Sequence, residues 1–161
     1  MDINTATQVE PPRFENRPQM YFCGISAIHK MSNPVGLPDQ WQRFQCYIGN
    51  IDGAIVGAAY GLVGEIDGEQ FEYLVAVEMR NGAENPPDLK QVTVPALRWA
   101  RFRHGGDLST LRQTIGGAEA WLSQNGYTAS EASYSFIEYY GPAFDARSGS
   151  GDIEVWFGLA G

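Results

Sequence analysis

Positive charge is scarce in this chain: 11 Lys and Arg stand against 19 Asp and Glu, for a net charge of −8. Nucleic-acid binding draws most of its energy from phosphate neutralisation by Lys and Arg. No direct nucleic-acid contact is therefore expected, and an acidic chain suits a cationic partner better. The densest basic stretch, Arg98 to His104, alternates as a strand does, which predicts charges on one solvated face. Cysteine is equally sparse. Cys23 and Cys46 form no Cys-x-x-Cys pair and, from their apolar neighbours, are expected as buried free thiols. His29 and His104 stand far apart with no acid or cysteine at ligand spacing, so no metal site is expected. No apolar run approaches the roughly 20 residues of a membrane span. Residues 1–12 read as a flexible tail without the basic and apolar regions of a signal peptide, so a cytoplasmic location is expected. Neither a Gly-x-Ser-x-Gly elbow nor a phosphate-cradling glycine loop occurs, and Cys and His are too few for a nucleophile–base pair. No catalytic residue and no cofactor is assigned.

What the chain does have is a core. Hydrophobic residues make up 43% of its 161 residues and charged residues 19%, the composition of one globular domain. Aromatic residues make up 12%, and aromatic faces attract desolvated cations.

The pattern along the chain runs strand, helix, strand, strand, and then repeats. Met20 to Ile28 reads as the first strand, rich in aromatic and β-branched residues. Asp39 is placed as the cap of a short helix over Gln40 to Ile48, with Trp41, Phe44 and Cys46 or Ile48 facing inward. Strands are expected near Ile55 to Val63 and over Phe71 to Val77, joined at Asp67-Gly68 as a hairpin. Asn81 to Asp88, with Pro86-Pro87, is a break. Strand material returns over Leu89 to Phe102, followed by a helix over Leu108 to Gln124 and strands over Ser135 to Tyr140 and Ile153 to Leu159. This predicts an α+β domain over residues 13–161, built from a duplicated β-α-β-β unit with pseudo-repeats near 13–80 and 89–160. Its sheet is mainly antiparallel, with two main helices and a ligand cleft between the repeats.

One strand stands out. Phe136, Glu138 and Tyr140 fall on one face and Ile137 and Tyr139 on the other. A strand interior disfavours Glu, and burial of a lone carboxylate is costly. Such a residue is either paired to Arg or exposed on an edge, or it is the acid at the floor of an apolar cleft. The last strand repeats the theme, with Ile153, Val155, Phe157 and Leu159 on the core face and Glu154, Trp156 and Gly158 opposite. That opposite face suits a groove wall or plain solvent exposure of Glu154. Trp99, Tyr60 and Trp41 are further candidate cleft walls.

The ordered set Val94-Pro95-Ala96-Leu97-Arg98-Trp99-Ala100, His104-Gly105-Gly106, Ala120-Trp121-Leu122, Phe136-Ile137-Glu138-Tyr139-Tyr140-Gly141-Pro142 and Ile153-Glu154-Val155-Trp156-Phe157 resembles the GyrI-like, or AraC-type effector-binding, family over most of residues 13–160. The resemblance implies two β-α-β-β repeats around a ligand cleft. It implies a stand-alone multidrug-binding module for bulky lipophilic cations, with the family's cation-binding glutamate at Glu138, its strand aromatic at Trp99 and its last-strand aromatic at Trp156. It also admits two rival roles in the same fold, a hydrolase of cyclopropane-type toxins and a gyrase-inhibitor-like interaction module. A transcription regulator or gyrase is the corresponding protein partner. Gly158 stands where the family often has proline, and no DNA-binding segment is evident in the chain.

Overall fold

The computed structural model describes residues 9–132 and 134–161. Residues 1–8 of the expected tail lie outside the described residues. The element order is β1 (Arg13–Arg17), β2 (Met20–Lys30), α1 (Leu37–Phe44), β3 (Ala59–Glu65), β4 (Gln70–Met79), β5 (Lys90–Val94), β6 (Leu97–His104), α2 (Leu111–Gln124), β7 (Phe136–Tyr140) and β8 (Ile153–Leu159). A single 3-10 turn, Leu108–Thr110, leads into α2, with the Asp107 carboxylate accepting from the Ser109 amide. The eight strands form one sheet in the order β1-β6-β8-β7-β3-β4-β2-β5. All its pairings are antiparallel.

That order is a palindrome, and it makes the duplication visible. A shift of 77 residues carries Arg13–Arg17 onto Lys90–Val94, Met20 onto Leu97 and Ala59 onto Phe136. The repeating unit is thus strand, strand, helix, strand, strand. Its first strand crosses over: β1 pairs with β6 of the other repeat, and β5 pairs with β2. The two repeats meet where β3 pairs with β7, with Gly61 directly opposite Glu138. The same shift carries Gly61 onto Glu138, so the acid occurs in one repeat and its counterpart has no side chain. The stretch expected as one strand over Leu89 to Phe102 is divided at Pro95, which has no amide hydrogen to give a ladder.

The sheet is strongly curled. Pro18 and Gln19 alone join β1 to β2, and Pro95 and Ala96 alone join β5 to β6. Each pair of strands lies at opposite ends of the sheet, six places apart. In a flat sheet that is about 29 Å, whereas so short a link spans about 10 Å. The sheet must bend until its ends approach. An ion pair of 3.6 Å between Arg17 of β1 and Glu78 of β4 bridges the gap.

The hollow of the curl holds its own core, in which Met20, Phe22, Tyr60, Leu62, Trp99, Ile137 and Trp156 pack together from both ends of the sheet. The outer face carries both helices and the remaining core, including Leu111 and Leu122 of α2 packed on Phe102, Val155 and Phe157 of the sheet. Phe44 of α1 packs in the cluster with Tyr73, Val75 and Val77 of β4.

Helix α1 starts earlier than its sequence reading and ends earlier. Pro38 in its first turn pre-sets the backbone for helix, and the turns after Phe44 carry the chain to Gly49. Asp39 sits inside the helix and pairs with Arg43 at 3.2 Å. Phe44 is buried as expected, but Ile48 and Cys46 are exposed. Gln40, which a hydrophobic pattern passes over, is fully buried. Its amide donates to the Ile25 and Tyr73 carbonyls at 2.8 and 2.7 Å, and its Oε1 lies 2.6 Å from His29 Nε2. A satisfied polar group thereby fixes α1 to the sheet. No described helix is long and apolar enough to cross a membrane.

Candidate functional site

The outer face of the sheet opens between α1 and the turn before α2 into a cavity of about 1180 Å³. Its floor is the β3–β7 junction, where Glu138 stands. Trp41 and Leu37 wall it from α1, Leu108 and Leu111 from the other repeat, and Tyr140 and Phe144 from β7 and the loop that follows. The segment from Ala54 to Ala59 closes one side, and Ile48, Ile55, Val56 and Leu108 leave an exposed apolar rim.

Among the described residues, Glu138 is the only charged side chain in that lining. Its Oε1 accepts two hydrogen bonds, from the Tyr73 hydroxyl at 2.6 Å and the Tyr140 hydroxyl at 2.8 Å. Tyr73 in turn accepts from Trp41 Nε1 at 3.1 Å. Trp41 meets Tyr140 edge-on with centroids 5.3 Å apart, and Tyr140 meets Phe144 at 5.0 Å. A carboxylate is thus held by two phenols inside an aromatic frame. Burial pushes the Glu138 carboxyl above its ordinary value, against the two tyrosine hydrogen bonds that pull it down. Burial, and then the Glu138 charge, push both phenols well above theirs, so both remain donors.

Among the described residues no Lys, Arg or His pairs with Glu138. The other partly buried glutamates contrast with it. Glu154 pairs with Arg101 at 2.7 Å, Glu72 with Lys90 at 2.5 Å and Glu78 with Arg17 at 3.6 Å.

Gly61 makes this arrangement possible. A Cβ there would lie 2.5 Å from Tyr73 Cζ and 3.0 Å from Glu138 Oε1, and closer still to the Tyr73 hydroxyl. The buried Tyr73 ring has little room to yield. Gly61→Ala is therefore expected to lose about 1–3 kcal/mol of stability by overpacking and to part Tyr73 from Glu138. Chemical denaturation checks this, and a variant as stable as the parent would show that the phenol moves freely.

The residues expected from sequence divide between the two faces. Glu138, Tyr140 and Trp41 come together in the cavity. Phe136 shares their face but packs into the core beside Phe157, with centroids 5.8 Å apart. Trp99, Trp156 and Tyr60 do not reach the cavity: they lie in the hollow core on the other side of the sheet. The reason is the two-residue period of a strand, which sends Trp156 away from Val155 and Tyr60 away from Gly61. Glu154 lies there too, neither on a groove wall nor freely exposed. Its Oε1 accepts from Arg101 and from Trp156 Nε1, at 2.7 and 2.8 Å.

Arg101 corrects the reading of the basic stretch as one solvated face. Its side chain is 10% exposed, lies over Trp156 at 4.4 Å from the ring centroid, and is held by Glu15 as well as Glu154. The aromatic and acidic groups of that face thus enclose a cation of the chain's own. Tyr73 and Phe144 complete the cavity lining and Gly61 leaves room for Tyr73; the sequence pattern singles out none of the three. A buried tyrosine needs a hydroxyl partner, which was the one signal available for Tyr73.

The sequence profile of the GyrI-like small molecule binding domain matches residues 10–160. Among solved structures, that of SAV2435 bound to tetraphenylphosphonium is similar at 15% identity and a TM-score of 0.74, covering 94% of this chain and 95% of that one. The EcmrR–DNA complex is similar at 18% identity and a TM-score of 0.63, over 91% of this chain and 56% of that one. A hydrolase from Listeria innocua is similar at 11% identity and a TM-score of 0.55, over 95% of this chain and 92% of that one. No curated protein matches the chain.

Proposed function

The chain belongs to the family of GyrI-like small molecule binding domains, and we propose that its cavity binds bulky lipophilic cations, with Glu138 as their counter-charge. The observation that carries this reading is the lining itself: one partly buried carboxylate, no positive side chain beside it among the described residues, and otherwise aromatic, aliphatic and neutral polar groups. A buried acid without a cation is costly. A ligand cation that displaces water from the cavity relieves that cost and gains from each ring it touches. The volume, about 1180 Å³, exceeds the roughly 300–1,000 Å³ usual for small-molecule pockets, which suits a bulky ligand. The tetraphenylphosphonium held by the similar structure is a ligand of this kind.

The groups at the floor suit binding better than turnover. Both phenols are occupied in holding Glu138, and among the described residues no second carboxylate, histidine or lysine lines the cavity beside it. The chain is read as a binding module whose ligand-bound form a transcription regulator would read.

Calorimetric titration with methyltriphenylphosphonium and with the neutral triphenylphosphine oxide tests the reading. The cation is expected to bind at least about tenfold more tightly, a difference of 1.4 kcal/mol, and to be recovered unaltered by mass spectrometry. Equal affinity would remove the role given to Glu138, and altered ligand at catalytic protein levels would replace binding with hydrolysis.

A further inference from the structure

The two oxygens of Glu138 are not equivalent. Oε1 is saturated, since both tyrosine hydroxyls donate to it. Oε2 accepts from none of the described residues. Nor is it a sealed atom: the buried polar side-chain atoms without partners are Arg17 Nε, Asn85 Oδ1 and Trp99 Nε1. Glu138 lines the cavity, so Oε2 is the oxygen that opens onto it. The phenols thus spend one oxygen on fixing the carboxylate and leave the other as a directed acceptor inside an otherwise largely apolar chamber.

From this we infer that the cavity selects, within the lipophilic cations, those that carry an N–H donor on the charged centre: protonated tertiary amines and amidinium groups over quaternary ammonium or phosphonium ions of equal size. The inference rests on the proposed function above and deepens it by naming the ligand class. A quaternary cation offers Glu138 only charge, at a distance set by its alkyl or aryl shell. A protonated amine brings its charge closer and adds a charge-assisted hydrogen bond to Oε2, shorter and about twice as strong as a neutral one. No acceptor of equal strength competes at the floor: Tyr73 and Tyr140 spend their hydroxyl hydrogens on Oε1, and their neutral oxygens accept more weakly than a carboxylate. The N–H of such a ligand is therefore directed to one atom. The frame of Trp41, Tyr140 and Phe144 around the carboxylate takes the hydrophobic groups.

The test uses dimethylbenzhydrylamine, protonated at neutral pH, and its N-methyl quaternary salt, titrated calorimetrically into the full chain and into Glu138→Gln. In Glu138→Gln the side-chain carbonyl can keep both phenols, and the amide then presents N–H donors where Oε2 stood. The parent protein is expected to bind the tertiary ammonium roughly tenfold more tightly than the quaternary ion, in line with a hydrogen bond to a charged group. In Glu138→Gln the two affinities are expected to converge. Equal binding of both probes by the parent, with both weakened in Glu138→Gln, overturns the N–H preference and leaves the cation-binding reading standing. Affinities unchanged by the substitution overturn both. A preference for the tertiary ammonium that persists undiminished in Glu138→Gln also overturns the inference, since Oε2 would not be its source.

Discussion

Trp156→Ala is expected to lower folding stability by about 3–5 kcal/mol, the cost of truncating a large aromatic in a packed core. Trp156 is fully buried at the centre of the hollow inside the curled sheet. It stacks on Tyr139 with centroids 5.3 Å apart and meets Tyr60 and Trp99 at 5.8 and 6.1 Å. Arg17 and Arg101 lie over its ring, and its indole nitrogen donates to Glu154. Removal leaves a cavity, takes the aromatic partner from two arginines and deprives a partly buried carboxylate of a donor. Arg17 also joins β1 to Glu78 of β4 across the curl, so the loss acts on the curl itself. Ligand selection by the molecules that remain folded should not change, because the ring lies on the far side of the sheet from the cavity. Urea denaturation measures the first effect and titration of the folded protein the second. A loss under about 1 kcal/mol, or a changed cation preference, would place Trp156 in the ligand site after all.

The local half of this fold could be read from the sequence. Alternation along β7 is a property of five consecutive residues, and it put Phe136, Glu138 and Tyr140 on one face, as observed. The duplicated order of strands and helices was legible for the same reason. The curl was not, because it depends on which strands pair. Nothing in Pro18-Gln19 or Pro95-Ala96 states that the strands they join lie at opposite ends of the sheet. A pattern such as that of β8 shows that two faces differ, but not which face is covered by helices and which by the sheet itself. Trp99, Tyr60 and Trp156 were therefore placed in the cleft when they fill the hollow. Long-range pairs were hidden too. Glu154 and Glu138 look alike in their strands, and only the fold brings Arg101 to one and leaves the other to two tyrosines. Tyr73 lies 65 residues from the acid it holds.

Glu138→Gln is expected to weaken binding of a lipophilic cation about ten- to a hundredfold, the effect of losing one charge-assisted contact of about 1.5–3 kcal/mol. The substitution conserves shape and leaves an oxygen for Tyr73 and Tyr140, so the frame of Trp41, Tyr140 and Phe144 should persist. Apolar contact serves neutral and charged ligands alike, whereas only the carboxylate tells them apart. The same change bears on stability, with a definite sign. A carboxyl whose pKa is higher in the folded chain than its ordinary 4.5 costs stability once the pH rises above that value. The cost is complete above the raised value and absent below 4.5. The ligand-free Gln variant should therefore melt higher than the parent at neutral pH, and the difference should shrink as the pH falls toward 4. The most direct measurement is a pair of calorimetric titrations, methyltriphenylphosphonium and triphenylphosphine oxide, each into the parent and into Glu138→Gln at neutral pH. A fall in affinity for the cation with the neutral compound unchanged is the result expected if Glu138 is the counter-charge. Equal losses for both compounds, or no loss for either, would contradict it.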